Sequence, residues 1–253
     1  MRSHYALIVP ETEAVTASLR PDLEAEARVA FHSAWPEFIF HDPVSREYID
    51  RVGDYFKEYD VLLLDQGEVV AGGWGVALSW DGTIAGLPAG YDGALVAAVG
   101  GHEREVEPDT LVVMAAAVRA DRQGRGMAGQ ILTTLRERAA SAGLRAMLAP
   151  VRPTLKSRYP LTSMDQFASW VRSDGQHLDP WVRTHQRLGA KVLAPAPCSM
   201  VISGTVAEWE SWAEMAFPTT GQYVVPGALD LVEIDRDADR GTYSETNLWM
   251  QHP

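Results

Sequence analysis

The residues best placed for chemistry lie in a glycine-rich segment near the middle of the 253-residue chain. Gly124, Gly126 and Gly129 follow a continuous apolar run and precede an amphipathic one, which predicts a strand, a tight loop and a helix. Backbone N–H groups at the start of a helix bind anions, and glycines let a ligand approach them closely. Arg119–Arg125 adds three arginines against one aspartate. The segment is therefore predicted to bind a phosphate or pyrophosphate group.

Two nucleotide-binding patterns compete for this loop. The spacing of Gly124, Gly126 and Gly129 is the Gly-x-Gly-x-x-Gly of dinucleotide-binding proteins. That fold needs its first glycine at the strand end and an acidic residue about 20 residues later. Here the polar stretch Arg119–Gly124 separates strand from helix, and Leu148–Pro150 occupies the acidic position. The dinucleotide interpretation is therefore rejected, and the lack of a Gly-Lys-Ser/Thr sequence argues against a P-loop.

Gln123, Gly126 and Ala128 satisfy the other pattern, Gln/Arg-x-x-Gly-x-Gly/Ala. Between a buried strand and a helix, this segment resembles the cofactor loop of the GNAT superfamily of acyl-CoA-dependent N-acyltransferases. The resemblance implies acetyl-CoA or another acyl-CoA as co-substrate. It also implies a mixed α/β (α+β) fold, with a mostly antiparallel central sheet flanked by helices and a splayed strand before the pyrophosphate loop. The implied cofactor-binding residues are Ala116, Ala117, Val118, Gln123, Gly124, Arg125, Gly126, Met127 and Ala128.

A second part of the resemblance is Trp181–Ala190. It is similar to the helix that ends in Tyr-x-x-x-Gly-Phe in many GNAT members, where the tyrosine protonates the leaving thiolate. Gly189 is the glycine, His185 takes the place of the tyrosine, and Ala190 replaces the usual aromatic residue. A histidine of ordinary pKa, about 6.5, can protonate a thiolate, because thiols have a pKa of about 8.5. His185 is therefore expected to act as the general acid.

Direct attack of the acceptor amine on the thioester, which the resemblance implies, also calls for a base. Glu107 and Asp109 are the acidic residues nearest to the predicted strand, and they are the candidates; a water chain is the alternative. We expect the acceptor near Trp35 and near an insert at 150–179, where Arg158 and Tyr159 are candidate contacts. Neither a nucleophile triad nor a metal cluster emerges from the sequence, and no metal site is predicted.

The elements that must position these residues follow from hydrophobic periodicity, caps and turn residues. Residues 1–216 are predicted to form a single GNAT-like domain, and 217–253 an extended tail that packs on the domain or on a dimer partner. Capping boxes open helices after Ser163 and Thr205. The predicted strands are Tyr5–Val9, Val61–Asp65, Val69–Ser79, Ala94–Val99, Leu111–Val118, Leu144–Ala149, Lys191–Leu193 and Ser199–Ser203, and the predicted helices are Asp22–His32, Ser45–Tyr59, Gly126–Ala142 and Pro180–Leu188.

Composition narrows the classes of function. The net charge of −12 argues against nucleic acid as a partner. The single cysteine, Cys198, cannot form an internal disulfide, and no apolar run approaches the roughly 18 residues of a membrane span. These features predict a cytoplasmic protein, monomeric or homodimeric, that does not enter a membrane.

Three functional hypotheses remain open on the sequence. The leading one is an N-acyltransferase, most simply an N-acetyltransferase, that acts on the amine of a small molecule. A second is an enzyme of the same fold that uses another acyl donor, such as aminoacyl-tRNA. The third is a non-catalytic CoA-binding module, which the missing base and the departures at His185 and Ala190 suggest.

Overall fold

The computed structural model describes residues 12–32 and 34–253, so the strand predicted at Tyr5–Val9 lies outside the described residues. The described residues form nine strands of one sheet and seven α-helices. None of these helices is long and apolar enough to cross a bilayer. In chain order the elements are β1 Glu13–Thr16, α1 Glu24–His32, α2 Pro43–Tyr55, β2 Asp60–Asp65, β3 Glu68–Leu78, α3 Gly90–Glu103, β4 Thr110–Val118, α4 Met127–Ser141, β5 Ala146–Val151, α5 Met164–Ala168, α6 Pro180–Arg187, β6 Lys191–Gly204, α7 Val206–Ala213, β7 Gly221–Tyr223, β8 Val232–Asp235 and β9 Arg240–His252.

The central sheet is mostly antiparallel, as predicted. Its order is β1-β2-β3-β4-β5-β9-β8-β7, and β6 also pairs with β9. β4 and β5 form the one parallel pair among the described strands. The β2–β3 hairpin turns at Gln66 and Gly67, which both have positive φ and so give the twist that a two-residue hairpin needs.

The splayed strand is the feature that shapes the site. β4 pairs with β5 only from Thr110 to Val112, and the two strands then separate. Beyond that point β5 keeps only its antiparallel partner β9, while β4 keeps only β3. A β-bulge leaves Met114 without a partner on β3, and such bulges bend the strand that carries them. The divergence therefore opens a gap in the middle of the sheet.

Helices cover both faces of the sheet. Gly72 faces Phe31 of α1, whereas the next residue, Gly73, faces Ile131 of α4. A Cβ atom at either glycine would approach these side chains within 2.6 Å, so the close helix packing depends on glycine. The main core lies under α2, α3 and α4, and a second buried cluster around Phe38, Trp209 and Tyr243 lies near β8 and β9.

Three predicted features differ from the structure. Ala94–Val99 was predicted as a strand, but it lies within α3, whose buried residues Ala94, Leu95, Ala98 and Val99 follow a helical period. The two strands predicted at Lys191–Leu193 and Ser199–Ser203 are one long strand, β6, with two irregularities in its register. Residues 217–253, predicted as an extended tail, contribute β7, β8 and β9 to the sheet.

Candidate active site

The glycine-rich loop forms an open cradle at the start of α4. Gly126 is the N-cap in a left-handed conformation (φ 83°), and it has no side-chain cap. Gly124 is also left-handed (φ 77°), which glycine adopts without strain. Added Cβ atoms at Gly124, Gly126 and Gly129 would meet nothing within 4 Å. The first N–H groups of this 15-residue helix are therefore left for an anion such as a pyrophosphate.

The arginines near the loop are less available than their number suggests. Arg119 pairs with Asp121 at 2.7 Å and with Glu68 at 3.4 Å. Arg122 pairs with Asp65 at 2.9 Å. Arg125 is exposed on the loop itself. The cradle therefore depends mainly on backbone N–H groups, with Arg125 as the arginine best placed for a phosphate.

A cavity of about 360 Å³ lies where β4 and β5 diverge. Val113–Ala116 forms one side and Ala149–Arg152 the other, while α2 and α6 contribute further walls. A second cavity of about 510 Å³ adjoins it and shares part of its lining, including Trp74 and Ala115. Four aromatic side chains line the cavity: Trp35 and Phe40 from the segment before α2, Trp74 from β3 and Tyr91 from α3. Its volume suits a small molecule.

His185 lies in the cavity wall on α6. Asp179 caps this helix by accepting from the N–H groups of Trp181 and Val182, and Pro180 follows at the first helical position, as predicted. The His185 ring is 1% exposed, and its Nδ1 lies 2.8 Å from Nε2 of His252. Burial lowers the pKa of His185 well below its ordinary value, and neighbouring His252 lowers it further.

A network of buried, hydrogen-bonded side chains around Glu245 forms the wall that β9 contributes to the cavity. Glu245 is fully buried and accepts hydrogen bonds from Arg152 Nε, the Tyr243 hydroxyl and the Asn247 amide, at 2.8 to 3.1 Å. Arg152 also donates to the carbonyl of Gly227 at 2.6 Å. Both oxygens of Glu245 are thus occupied, which leaves its carboxylate poorly suited to take a proton from a substrate.

The protein-family model described as the acetyltransferase (GNAT) family matches residues 25–159, which is more than half of the chain. The chain belongs to this family. The family predicted from the resemblance at Gln123–Ala128 is confirmed, and so is the predicted fold class. N-acyl transfer from an acyl-CoA co-substrate, the leading hypothesis, is likewise confirmed by the family and by the curated relative described next.

Similar proteins cover almost the whole chain. Arginine N-acetyltransferase avaD from Aspergillus versicolor is 29% identical over 94% of this chain and 92% of its own length. In fold, the chain is similar to the loading GNATL domain of CurA from Lyngbya majuscula, with a TM-score of 0.56, 12% identity and 96% of each chain covered. It is also similar to the GNAT-like decarboxylase GphF in complex with isobutyryl-CoA, with a TM-score of 0.53, 14% identity and coverage of 96% and 98%.

The predicted cofactor residues lie along the end of β4, the loop that follows it and the start of α4. Ala116 lines the first cavity and Ala117 the second, and Val118 is the last residue of β4 before the loop. Gln123 is exposed and donates weakly to the carbonyl of Val118 at 3.5 Å. Met127 is buried as the first residue of α4, so its side chain anchors the helix in the core.

The two predicted bases lie outside the cavity, contrary to the expectation from sequence. Asp109 accepts from the Trp80 N–H and the Thr110 hydroxyl and pairs with Arg145 at 2.8 Å. These hydrogen bonds outweigh partial burial and hold the pKa of Asp109 below its ordinary value. Glu107 is exposed in the loop before β4. Both precede the strand at the end opposite to the pyrophosphate loop, because the strand runs toward that loop.

Of the three predicted substrate contacts, one lines the cavities and two do not. Trp35 lines both cavities. Arg158 and Tyr159 are exposed and line neither cavity, and the Tyr159 ring packs against Trp170. The insert instead supplies Arg152, which sequence reasoning placed in the insert but not among the contacts.

Sequence reasoning missed the contribution of β9. Glu245, Asn247 and His252 all lie near the C-terminus, in a region read as a tail rich in proline and glycine. The residue pattern gave no clear signal, because the buried positions of this strand include the polar residues Glu245 and Asn247 and so do not follow an apolar–polar alternation. The pairing of this strand with β5 and β6 is non-local and cannot be read from one sequence.

Proposed function

We propose that this GNAT protein transfers the acetyl group of acetyl-CoA to the amine of a small cationic amino acid, with arginine as the first candidate. Arginine N-acetyltransferase avaD matches the chain over nearly its full length, which supports this acceptor. The observation that carries the proposal is the cavity at the divergence of β4 and β5. Its lining combines Val113–Ala116 of β4, the strand that leads into the pyrophosphate loop, with an aromatic chamber.

The walls of the chamber suit the two charged ends of such an acceptor. A guanidinium group stacks on aromatic faces, and Trp35, Phe40 and Trp74 provide them. Arg46, exposed at the rim and held by His41 at 2.9 Å, is suited to bind an α-carboxylate. In this arrangement the α-amine, which shares its carbon with the carboxylate, lies near the carboxylate end and is proposed to reach the thioester from there.

The bulged end of β4 is suited to hold the acyl group. Peptide groups of Met114–Ala116 that have no partner on β5 are available to the pantetheine amides and to the thioester carbonyl. Acetyl-CoA supplies the acyl group and the thiol leaving group when it is bound. His185, in the wall that α6 contributes, is proposed to serve proton transfer at the sulfur.

A thiol-release assay tests the function and the acceptor together. With acetyl-CoA, we expect L-arginine to be acetylated more efficiently than agmatine, which lacks the carboxylate, or citrulline, which lacks the cationic charge. Arg46→Gln should raise the KM for arginine and leave the KM for agmatine unchanged. Arg51→Gln is the matched control, because Arg51 is a half-buried arginine on the same helix that lines neither cavity. Equal rates for the three amines would refute the proposed acceptor.

We propose further that the protein is cytoplasmic and does not bind nucleic acid. Cytoplasmic location rests on the single cysteine, and exclusion of nucleic acid rests on the −12 charge. Tight CoA binding without thiol release from any amine would favour a non-catalytic CoA-binding role. Donor binding that weakens steeply with salt would favour an aminoacyl-tRNA donor.

A further inference from the structure

We propose that His252 is a positioning residue that fixes the tautomer of His185, so that Nε2 of His185 carries one proton from the attacking amine to the leaving sulfur. This inference rests on the proposed function. It gives the site a proton acceptor, which neither Asp109 nor Glu107 provides.

The two imidazoles form a buried pair inside the protein. Nδ1 of His185 lies 2.8 Å from Nε2 of His252, and the rings are 1% and 3% exposed. One hydrogen must lie between these nitrogens, because two lone pairs at this distance would repel. When His185 donates that hydrogen from Nδ1, its Nε2 keeps a lone pair. The direction of this hydrogen bond therefore decides whether Nε2 of His185 can accept a proton.

Nε2 of His185 is buried and has no hydrogen-bond partner among the described residues, and the same holds for Nδ1 of His252. Of the buried polar side-chain atoms without a partner in the described part of the chain, Nε2 of His185 is the one whose residue lines the cavity. Unpaired buried polar atoms are costly, and in native proteins they often mark functional sites.

His177 shows how this protein treats a structural buried histidine. It is also 1% exposed, but both of its nitrogens are used. Nε2 lies 3.1 Å from the carbonyl of Phe167, and Nδ1 accepts from the N–H of Asp179 at 2.9 Å. His185 differs because only one of its nitrogens has a protein partner.

Neighbouring elements hold the pair rigidly. The Trp181 ring packs edge-on against His185 with centroids 4.3 Å apart, and Met147 of β5 pairs with His252 across the sheet. Arg136 of α4 is the charged group that acts on His252. Arg183 and Arg187, on the same helix as His185, donate instead to the His177 carbonyl and to Gln176.

The surroundings keep both imidazoles neutral at neutral pH. Burial lowers the pKa of His252 to about 4, with a further contribution from Arg136, and burial also holds the pKa of His185 well below its ordinary value. A neutral resting His185 cannot begin the reaction as a proton donor. It must first receive a proton, and this differs from the simple acid role expected from sequence.

His185 takes up one proton and releases it again within one turnover. The neutral amine attacks the thioester carbon and forms a C–N bond, which places a positive charge on nitrogen and a negative charge on oxygen. Nε2 of His185 accepts the N–H proton, while its Nδ1–H remains bonded to His252. The C–S bond breaks as the carbonyl re-forms, and the sulfur takes the proton from Nε2. The products are an amide and a thiol, and His185 returns to its neutral form.

The test compares His252→Phe, which removes the polar partner, with His252→Gln, which keeps a polar group near the position of Nε2. We expect His252→Phe to lower kcat about 100-fold, as loss of positioned proton transfer does, with the KM for acetyl-CoA within twofold. His252→Gln should retain most of kcat, and His185→Ala should lower kcat at least as far as His252→Phe. His177→Phe is the matched control, expected to lower thermal stability and spare kcat.

Nitrogen-15 NMR of the wild-type protein provides a readout that does not depend on turnover. We expect His185 to carry its proton on Nδ1 with an unprotonated Nε2, and His252→Gln to preserve this state. A proton on Nε2 of His185, or an unchanged kcat in folded His252→Phe, would overturn the inference while leaving an active wild type and the proposed function intact. A wild type that releases no thiol with any amine would overturn both.

Discussion

Arg152 and Glu245 form an ion pair in the cavity wall, with Nε of Arg152 2.9 Å from Oε2 of Glu245. The pair joins β9 to the segment that follows β5, and so ties the C-terminal strand to the divergence where the acyl-CoA arm is proposed to lie. Glu245 has no exposed surface, whereas Arg152 keeps a small exposed fraction. Tyr243 and Asn247 also donate hydrogen bonds to Glu245. The network therefore fixes the side chains that form this wall of the cavity.

Removal of one partner from this pair is expected to be strongly destabilising. Glu245→Gln leaves the Arg152 charge buried without its counter-ion, and we expect a loss of about 3 kcal/mol in the free energy of unfolding. Urea denaturation measures it. Glu103→Gln breaks the exposed ion pair with Arg51 and should cost less than about 1 kcal/mol. Similar losses for the two variants would show that the Arg152–Glu245 pair is not effectively buried.

Much of the site could be predicted because its signals are local. The loop from Gln123 to Ala128 and the cap at Asp179 each lie within a few residues of the element they begin, and short-range turn and cap chemistry determines them. Their order along the chain also sufficed to identify the family. His185 was found by its spacing from Gly189, although its protonation state was not.

The rest of the site depends on contacts between distant parts of the chain. His185 meets His252 across 67 positions, and Arg152 meets Glu245 across 93. No periodicity encodes such pairs, because they arise only when β9 enters the sheet between β5 and β8. The direction of β4 explains why the predicted bases lie outside the cavity. Asp109 is near the site in sequence, but it lies at the end of the strand that is far from the pyrophosphate loop.

Asp92 should make stability depend on pH. Burial and then the nearby carboxylate of Asp42 raise the pKa of Asp92 to about 8, from an ordinary value of 3.8. Between these values the folded protein binds the proton and the unfolded chain does not, so stability falls as pH rises through this range. Asp92→Asn should flatten this dependence and stabilise the protein at pH 8.5 relative to wild type.

Urea denaturation at pH 5 and pH 8.5 measures this effect. Asp54→Asn, which neutralises an exposed carboxylate on α2, is the control and should keep the wild-type difference between the two pH values. If Asp92→Asn keeps that difference too, Asp92 is ionised in the folded protein at pH 8.5 and at pH 5 alike.

The left-handed N-cap of α4 should matter for the cofactor rather than for the fold. Gly126→Ala adds a methyl group to the proposed pyrophosphate cradle and strains a residue with φ 83°, at a cost of about 1 kcal/mol. Gly143→Ala introduces the same backbone strain (φ 82°) at the other end of α4. We expect calorimetry to show CoA binding weakened about tenfold in Gly126→Ala and unchanged in Gly143→Ala. Equal affinities in the two variants would contradict a cradle at Gly126.

Asp109 should prove to be a structural residue. Its carboxylate joins three groups at the start of β4: the Trp80 N–H, the Thr110 hydroxyl and the Arg145 guanidinium. Because its pKa is held below the ordinary value, its contribution to stability is present at neutral pH and is lost as pH falls through the acidic range. Asp109→Asn should therefore lower the free energy of unfolding by about 1 kcal/mol at pH 7.

Turnover separates this structural role from the base role expected from sequence. We expect Asp109→Asn to keep kcat and kcat/KM for acetyl transfer within about twofold of wild type, because a base must lie within hydrogen-bond reach of the amine it deprotonates and Asp109 does not line the cavity. Glu107→Gln, in the exposed loop, should change neither stability nor turnover. A hundredfold loss of kcat in folded Asp109→Asn would restore Asp109 as the base and remove the need for proton transfer through His185.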